Sequence, residues 1–124
     1  MREFRCKIRI PLYRTVVEVI LSSNMKETWR KEGPKYGDDG SIDDIAAFTQ
    51  PVPGQSVLIV ATTTPSVSDI AHEAVHAAVY ILKTSGVKLT DSSEESYAYL
   101  VGHIVCEIRK MMLRNKLRFS KEKV

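Results

Sequence analysis

At 124 residues the chain has enough apolar material for one core and too little for two, so a single domain over 1–124 is expected. Its 44% hydrophobic and 27% charged residues are ordinary for a globular protein and exclude a disordered or collagen-like chain. The formal net charge of +3 is too small to argue for nucleic acid, and no apolar stretch reaches membrane-spanning length, so a cytoplasmic protein with no membrane partner is expected.

Residues 4–10 alternate, with Phe4, Cys6, Ile8 and Ile10 on one side and Arg5, Lys7 and Arg9 on the other. That pattern predicts a half-buried strand. Pro11 marks a turn, and the β-branched run 15–21 predicts a second strand hairpinned to the first. Ser23 or Asn24 caps a short helix through Lys31, ended by Gly33-Pro34. A Gly/Asp-rich connection covers 35–43, a short strand 45–49 and a turn 51–54. Residues 56–62, with Val57, Leu58, Ile59, Val60 and Ala61, form the clearest strand. Pro65 and Ser66 open a long helix, with Asp69 completing a capping box, and Ser85-Gly86 closes it. A second long helix starts at 91–93 and runs past Arg114. The fold class expected is α+β, a small, largely antiparallel sheet packed on two long helices.

Cys6 and Cys106 form no C-x-x-C pair and are expected to be buried, reduced thiols. The end of the chain is basic: Arg109, Lys110, Arg114, Lys116, Arg118, Lys121 and Lys123 stand against one acid, Glu122. The plain expectation for 109–124 is a solvated helix face passing into a frayed tail. The alternative is a contact with an acidic partner or a nucleic-acid backbone.

The chemistry lies in His72-Glu73-Ala74-Val75-His76. A helix brings positions i and i+4 onto one face, so both imidazoles can point at one ion, with the Glu73 carboxylate beside them as a general base. This is an H-E-x-x-H arrangement. Accident produces it in roughly one chain of this length in a few hundred, so the surroundings have to decide. Apolar residues cover nearly every face of 67–82, broken mainly by Asp69, the His-Glu-His triplet and Tyr80. That predicts a helix buried on most sides. A buried carboxylate beside two buried imidazoles is costly unless a cation compensates it. The plainer reading is a pair of core histidines with Glu73 as their charge partner.

Two histidines do not complete a catalytic zinc site, which takes three protein ligands and a water. The downstream candidates are Glu94, Glu95, His103 and Glu107. Ser92-x-x-Glu95 and Asp91-x-x-Glu94 both also fit capping boxes. His103 is turned about 80° from Glu95 around the helix, which favours a packing or surface role.

With Glu95-Ser96-Tyr97-Ala98, 19 residues beyond His76, the chain resembles the gluzincin metallopeptidases, in which H-E-x-x-H is completed by a Glu-x-x-Ala on the following helix. More narrowly, 72–77 together with 95–102 is similar to small single-domain phage and prophage proteins of gluzincin type. The resemblance covers about residues 57–105 and implies a zincin-like minimal catalytic domain. It also implies one zinc ion held by His72, His76 and Glu95. Many gluzincins carry an acid four residues after the ligand Glu. Here that position is Tyr99, which leaves the orienting role to Asp69, Asp91 or Glu94. Tyr36, Tyr97, Tyr99 and His103 are candidates for stabilising the developing negative charge.

The function expected is a zinc-dependent peptidase acting on a peptide or protein, with Glu73 activating a water. Residues 57–61 are expected to be the sheet edge on which the peptide lies. The rival is a non-catalytic phage or prophage protein that binds a host protein and holds structural or vestigial zinc. In either case a phage-encoded chain would act in the host cytoplasm.

Overall fold

A computed structural model describes residues 1–33, 46–54 and 56–121. The expected 35–43 connection, Tyr36 and Ile45 lie outside them. The elements run β1 (Glu3–Ile10), a 3-10 turn (Pro11–Tyr13), β2 (Thr15–Ser22), α1 (Met25–Glu32), β3 (Ala47–Val52), β4 (Ser56–Thr62), α2 (Val67–Thr84) and α3 (Glu94–Arg114). The fold is α+β.

The four strands form one sheet in the order β1-β2-β4-β3. β1 pairs antiparallel with β2, β2 parallel with β4, and β3 antiparallel with β4. β4 is therefore interior, and the edge beside it is β3. The expectation that 57–61 forms an edge is corrected here. Five consecutive buried residues, Val57 to Ala61, are the mark of a strand covered on both faces, as an interior strand is. Pro51, expected in a turn, lies within β3 opposite Val57. An edge strand accepts proline because its outward N–H needs no ladder partner.

Side-chain alternation sorts the residues into two layers. Val17, Val19, Leu21, Val57, Ile59 and Ala61 face α2 and α3, and with Ile8, Ile10, Ile70, Leu82, Ile104 and Ile108 they form the main core. Ile20, Leu58 and Val60 face the other way, against Met25, Phe48 and Val52. α1 covers this second face: Trp29 meets Phe48 edge-on, centroids 4.7 Å apart. Arg5 on β1 fastens α1 through Glu32, at 2.7 Å.

α2 begins as its sequence dictates. The Ser66 hydroxyl accepts from the Asp69 N–H at 2.9 Å, and the Asp69 carboxylate accepts in return from the Ser66 N–H. Ser66→Ala is expected to cost about 1 kcal/mol, read as a lower denaturation midpoint, because one helix N–H is left without an acceptor. Asp69 is thereby committed to the cap. Beyond the end of α2 at Thr84, Gly86 takes a φ of +82° and closes the helix, with Val87 N–H donating to Leu82 O at 2.8 Å.

At the start of α3 neither expected capping box forms. Ser93 is the cap residue, and its hydroxyl bonds into the preceding loop, at Lys88 O, instead of the helix. As far as Ser120, the expected frayed tail is also corrected. Lys116, at φ 58°, ends α3 in a left-handed turn, and Leu117 N–H donates to Met112 O. The chain then returns, with Leu117 and Phe119 packed on the core and Ser120 N–H bonded to Pro65 O at 2.9 Å. Leu117 and Phe119 are apolar positions inside a basic run, and their partial burial against the core holds 117–120 down. Both cysteines are free thiols, but only Cys6 is part-buried, and burial pushes its thiol up. Cys106 is exposed on α3, contrary to expectation. Among the described residues no helix is long and apolar enough to cross a membrane.

Candidate metal centre

α2 packs against β3 and β4 on one side and against α3 on the other, and α3 continues over β1. This arrangement decides what each candidate residue meets.

His72 and His76 sit one above the other in mid-helix. Their Nε2 atoms are 3.1 Å apart, and the rings cross at 72°. Two nitrogens bound to one tetrahedral zinc at about 2.0–2.1 Å would lie about 3.3 Å apart, so the pair needs only a slight adjustment to hold an ion. Both imidazoles are exposed, which corrects the expectation that they are buried. The same closeness is also that of an N–H···N hydrogen bond between the two rings.

Glu73 is buried, with 7% of its surface exposed. The Thr49 hydroxyl lies 2.8 Å from Glu73 Oε1 and 3.1 Å from the Glu73 carbonyl oxygen. Thr49 pairs with Ile59 across the β3–β4 ladder and so points to the same face, toward α2. Among the described residues Thr49 is the carboxylate's only hydrogen-bond partner, and no basic side chain pairs with it. A buried carboxylate with one neutral donor is undercompensated, and a cation at the histidines would offset that cost.

His72, Glu73 and His76 line one hollow of about 420 Å³ together with Ala47, Phe48, Thr49, Pro51 and Tyr80. Its far wall is the β3 edge. Glu95 is not there. It lines a separate, mainly apolar hollow of about 350 Å³ with Ile10, Leu12, Tyr13, Tyr99 and His103. Among the described residues no group of three or more His, Cys, Asp or Glu side chains stands close enough to hold a metal ion.

The expected third ligand is corrected by the strand order. The histidines face the β3 edge, whereas the first turn of α3 lies beside the end of β1. Those two edges are three strand spacings apart, roughly 14 Å. The 19-residue spacing places Glu95 on the next helix but cannot say which flank of α2 that helix covers. His103, expected to turn away from Glu95, lines the same hollow as Glu95 and is exposed. Glu94 and Asp91 are exposed near that end of α3.

Two residues that line the histidine hollow were not among the sequence candidates. Thr49 leaves no signal in the chain, because only the strand register aims it at Glu73. Tyr80 was legible: it follows His76 by one more i+4 step on the same helical stripe. The fit of the chain to a zinc ion is therefore two protein ligands and an adjoining carboxylate. No protein-family model, no curated protein and no solved structure matches the chain.

Proposed function

We propose that the chain is a zinc-dependent hydrolase of peptidase type, in which His72 and His76 hold the ion and Glu73 is the general base. One observation carries this reading. Two imidazole nitrogens converge to 3.1 Å beside a buried carboxylate with no cationic partner among the described residues, and all three side chains border one hollow. A zinc ion there would supply Lewis acidity and bring a water to reactivity near neutral pH.

The chain's own residues do the rest. Thr49 holds Glu73 Oε1, which fixes the carboxylate's orientation and leaves Oε2 to accept the water's proton. The β3 edge offers main-chain N–H and C=O groups on which an extended peptide would pair, which makes a peptide or unfolded protein segment the natural substrate. Glu95 stays outside the seat. With two protein ligands in place of the usual three, zinc is expected to be stripped by mild chelation. A cytoplasmic setting fits this chemistry, and for a phage-encoded chain that is the host cytoplasm.

A second reading has one observation in its favour. The lack of a third His, Cys, Asp or Glu donor among the described residues suits a binding protein in which the metal is structural or vestigial. The experiment that separates the two is reconstitution with zinc, metal analysis after dialysis, and turnover of a randomised peptide library read by mass spectrometry. One zinc per chain with cleavage is expected. Zinc bound without cleavage supports the binding protein, and no retained zinc removes the seat from both.

A further inference from the structure

We infer that this chain pairs with a second copy of itself through the exposed face of α3, the two helices running antiparallel about a two-fold axis between Gly102 and His103. The histidine hollow lies between α2 and β3, outside this face, and stays open in such a pair whether or not it binds a metal.

α3 buries one stripe, Tyr97, Leu100, Ile104, Ile108 and Met111, against α2 and β1. On its opposite side Glu95, Tyr99, Gly102, Cys106, Arg109 and Leu113 follow one another at alternating steps of four and three, the spacing that keeps residues on one line of a helix. All six are exposed, Tyr99 at 77% and Leu113 at 60%. Leu12, at 82%, stands with Tyr99 at the rim of the apolar hollow that Ile10, Tyr13 and Leu100 line. One exposed apolar side chain needs no explanation, but several gathered on one face mark a contact surface.

The charges decide the partner and the direction. Asp91, Glu94 and Glu95 stand at the start of α3, and Arg109, Lys110 and Arg114 at its end, all exposed. That polarity suits the helix dipole, but the dipole gives no reason for Tyr99 and Leu113 to stand in water on the same face. A parallel pair would set acid on acid and base on base. An antiparallel pair sets each acidic end on the partner's basic end, so the face is complementary to itself, as a two-fold contact requires. With the axis between 102 and 103, Glu95 comes opposite the partner's Lys110. Tyr99 comes opposite the partner's Cys106, a favourable sulfur–aromatic contact. Leu113 leans toward the N-terminus of its own helix, and so toward the level of the partner's Glu95 and Ser96, where the apolar hollow opens. Within its own chain Lys110 pairs with Glu107 at 3.1 Å, an exposed contact that costs little to share.

The test is sedimentation equilibrium of the whole chain at rising concentration and low ionic strength. A monomer–dimer equilibrium with Kd below about 1 mM is expected. It should weaken as salt screens the paired ends. Gly102→Trp is the decisive variant. A Cβ added at Gly102 meets nothing within 4 Å, so the monomer has room for the ring, whereas two helices at the usual separation of about 8–10 Å do not. Its Kd is expected to rise by at least about tenfold, with the thermal midpoint of the dilute protein not lowered. A carbodiimide, which joins a carboxylate to an amine in contact with loss of water, should link Glu95 to Lys110 in the wild type. Those two residues stand about 22 Å apart along one helix, so the link can form only between copies. A chain that stays monomeric at about 1 mM overturns the pairing. So does a dimer that Gly102→Trp leaves intact, or one without the Glu95–Lys110 link, since either uses another surface such as the β3 edge.

Discussion

Replacing both His72 and His76 by alanine is expected to abolish zinc retention, and replacing either alone to weaken it by about 100-fold. The magnitude follows from four-ligand structural zinc sites, which bind by about 10–16 kcal/mol, or about 3 kcal/mol per ligand. The two rings are exposed, so their removal should change stability by no more than about 0.5 kcal/mol. Metal loss is therefore separable from unfolding. Metal analysis after dialysis gives the first quantity and a denaturant titration the second. Undiminished zinc in the double variant would mean that the ion sits elsewhere. A collapse in stability would point to the plainer role, a structural histidine pair.

Glu73→Gln is expected to cut turnover by about 10²–10⁴-fold while leaving zinc content unchanged, because the amide keeps the shape and loses the basicity. A second readout needs no substrate. In the wild type without metal, the carboxylate is buried with Thr49 as its only partner among the described residues. The amide oxygen of glutamine still accepts from Thr49, and the buried charge is gone. Metal-free Glu73→Gln should therefore be more stable than the metal-free wild type by about 1 kcal/mol. Zinc adds a compensating charge to the wild type, so the difference should shrink in the loaded proteins. A metal-free variant less stable than the wild type would make Glu73 a structural anchor, with no role for the charge in waiting for a cation.

Much of the local structure could be read from the residues. The alternation of Phe4, Cys6, Ile8 and Ile10 marks β1, and the unbroken apolar run of 57–61 marks β4. Asn24 caps α1 by accepting from the Glu27 N–H at 3.0 Å, and the Ser66–Asp69 box opens α2 where four residues of sequence put it. These readings succeed because each depends on a few neighbouring residues and a fixed helical or strand period. Pro51 misled because a proline reads as a turn when the position of the strand in its sheet is unknown. Glu95 misled because spacing along the chain carries no information about the side of α2 on which α3 packs.

The same division holds at the site. The i,i+4 histidines and the intervening Glu73 needed only a helix, and the convergence of their Nε2 atoms follows from helical pitch. Their exposure did not follow. A helix with apolar residues on nearly every face is buried only where other elements reach it, and α2 leaves His72, Val75 and His76 open to solvent. The partner of Glu73 comes from β3, through a register with β4 that aims Thr49 at α2. The separation of Glu95 from the histidines comes from the order β1-β2-β4-β3, which sets one hollow between α2 and β3 and the other between α3 and the end of β1. The amino-acid sequence by itself determined the pair of imidazoles and the carboxylate, because a helix's geometry is local. Only the tertiary structure decided what surrounds them, because strand order and helix docking are settled by contacts between residues far apart in the chain.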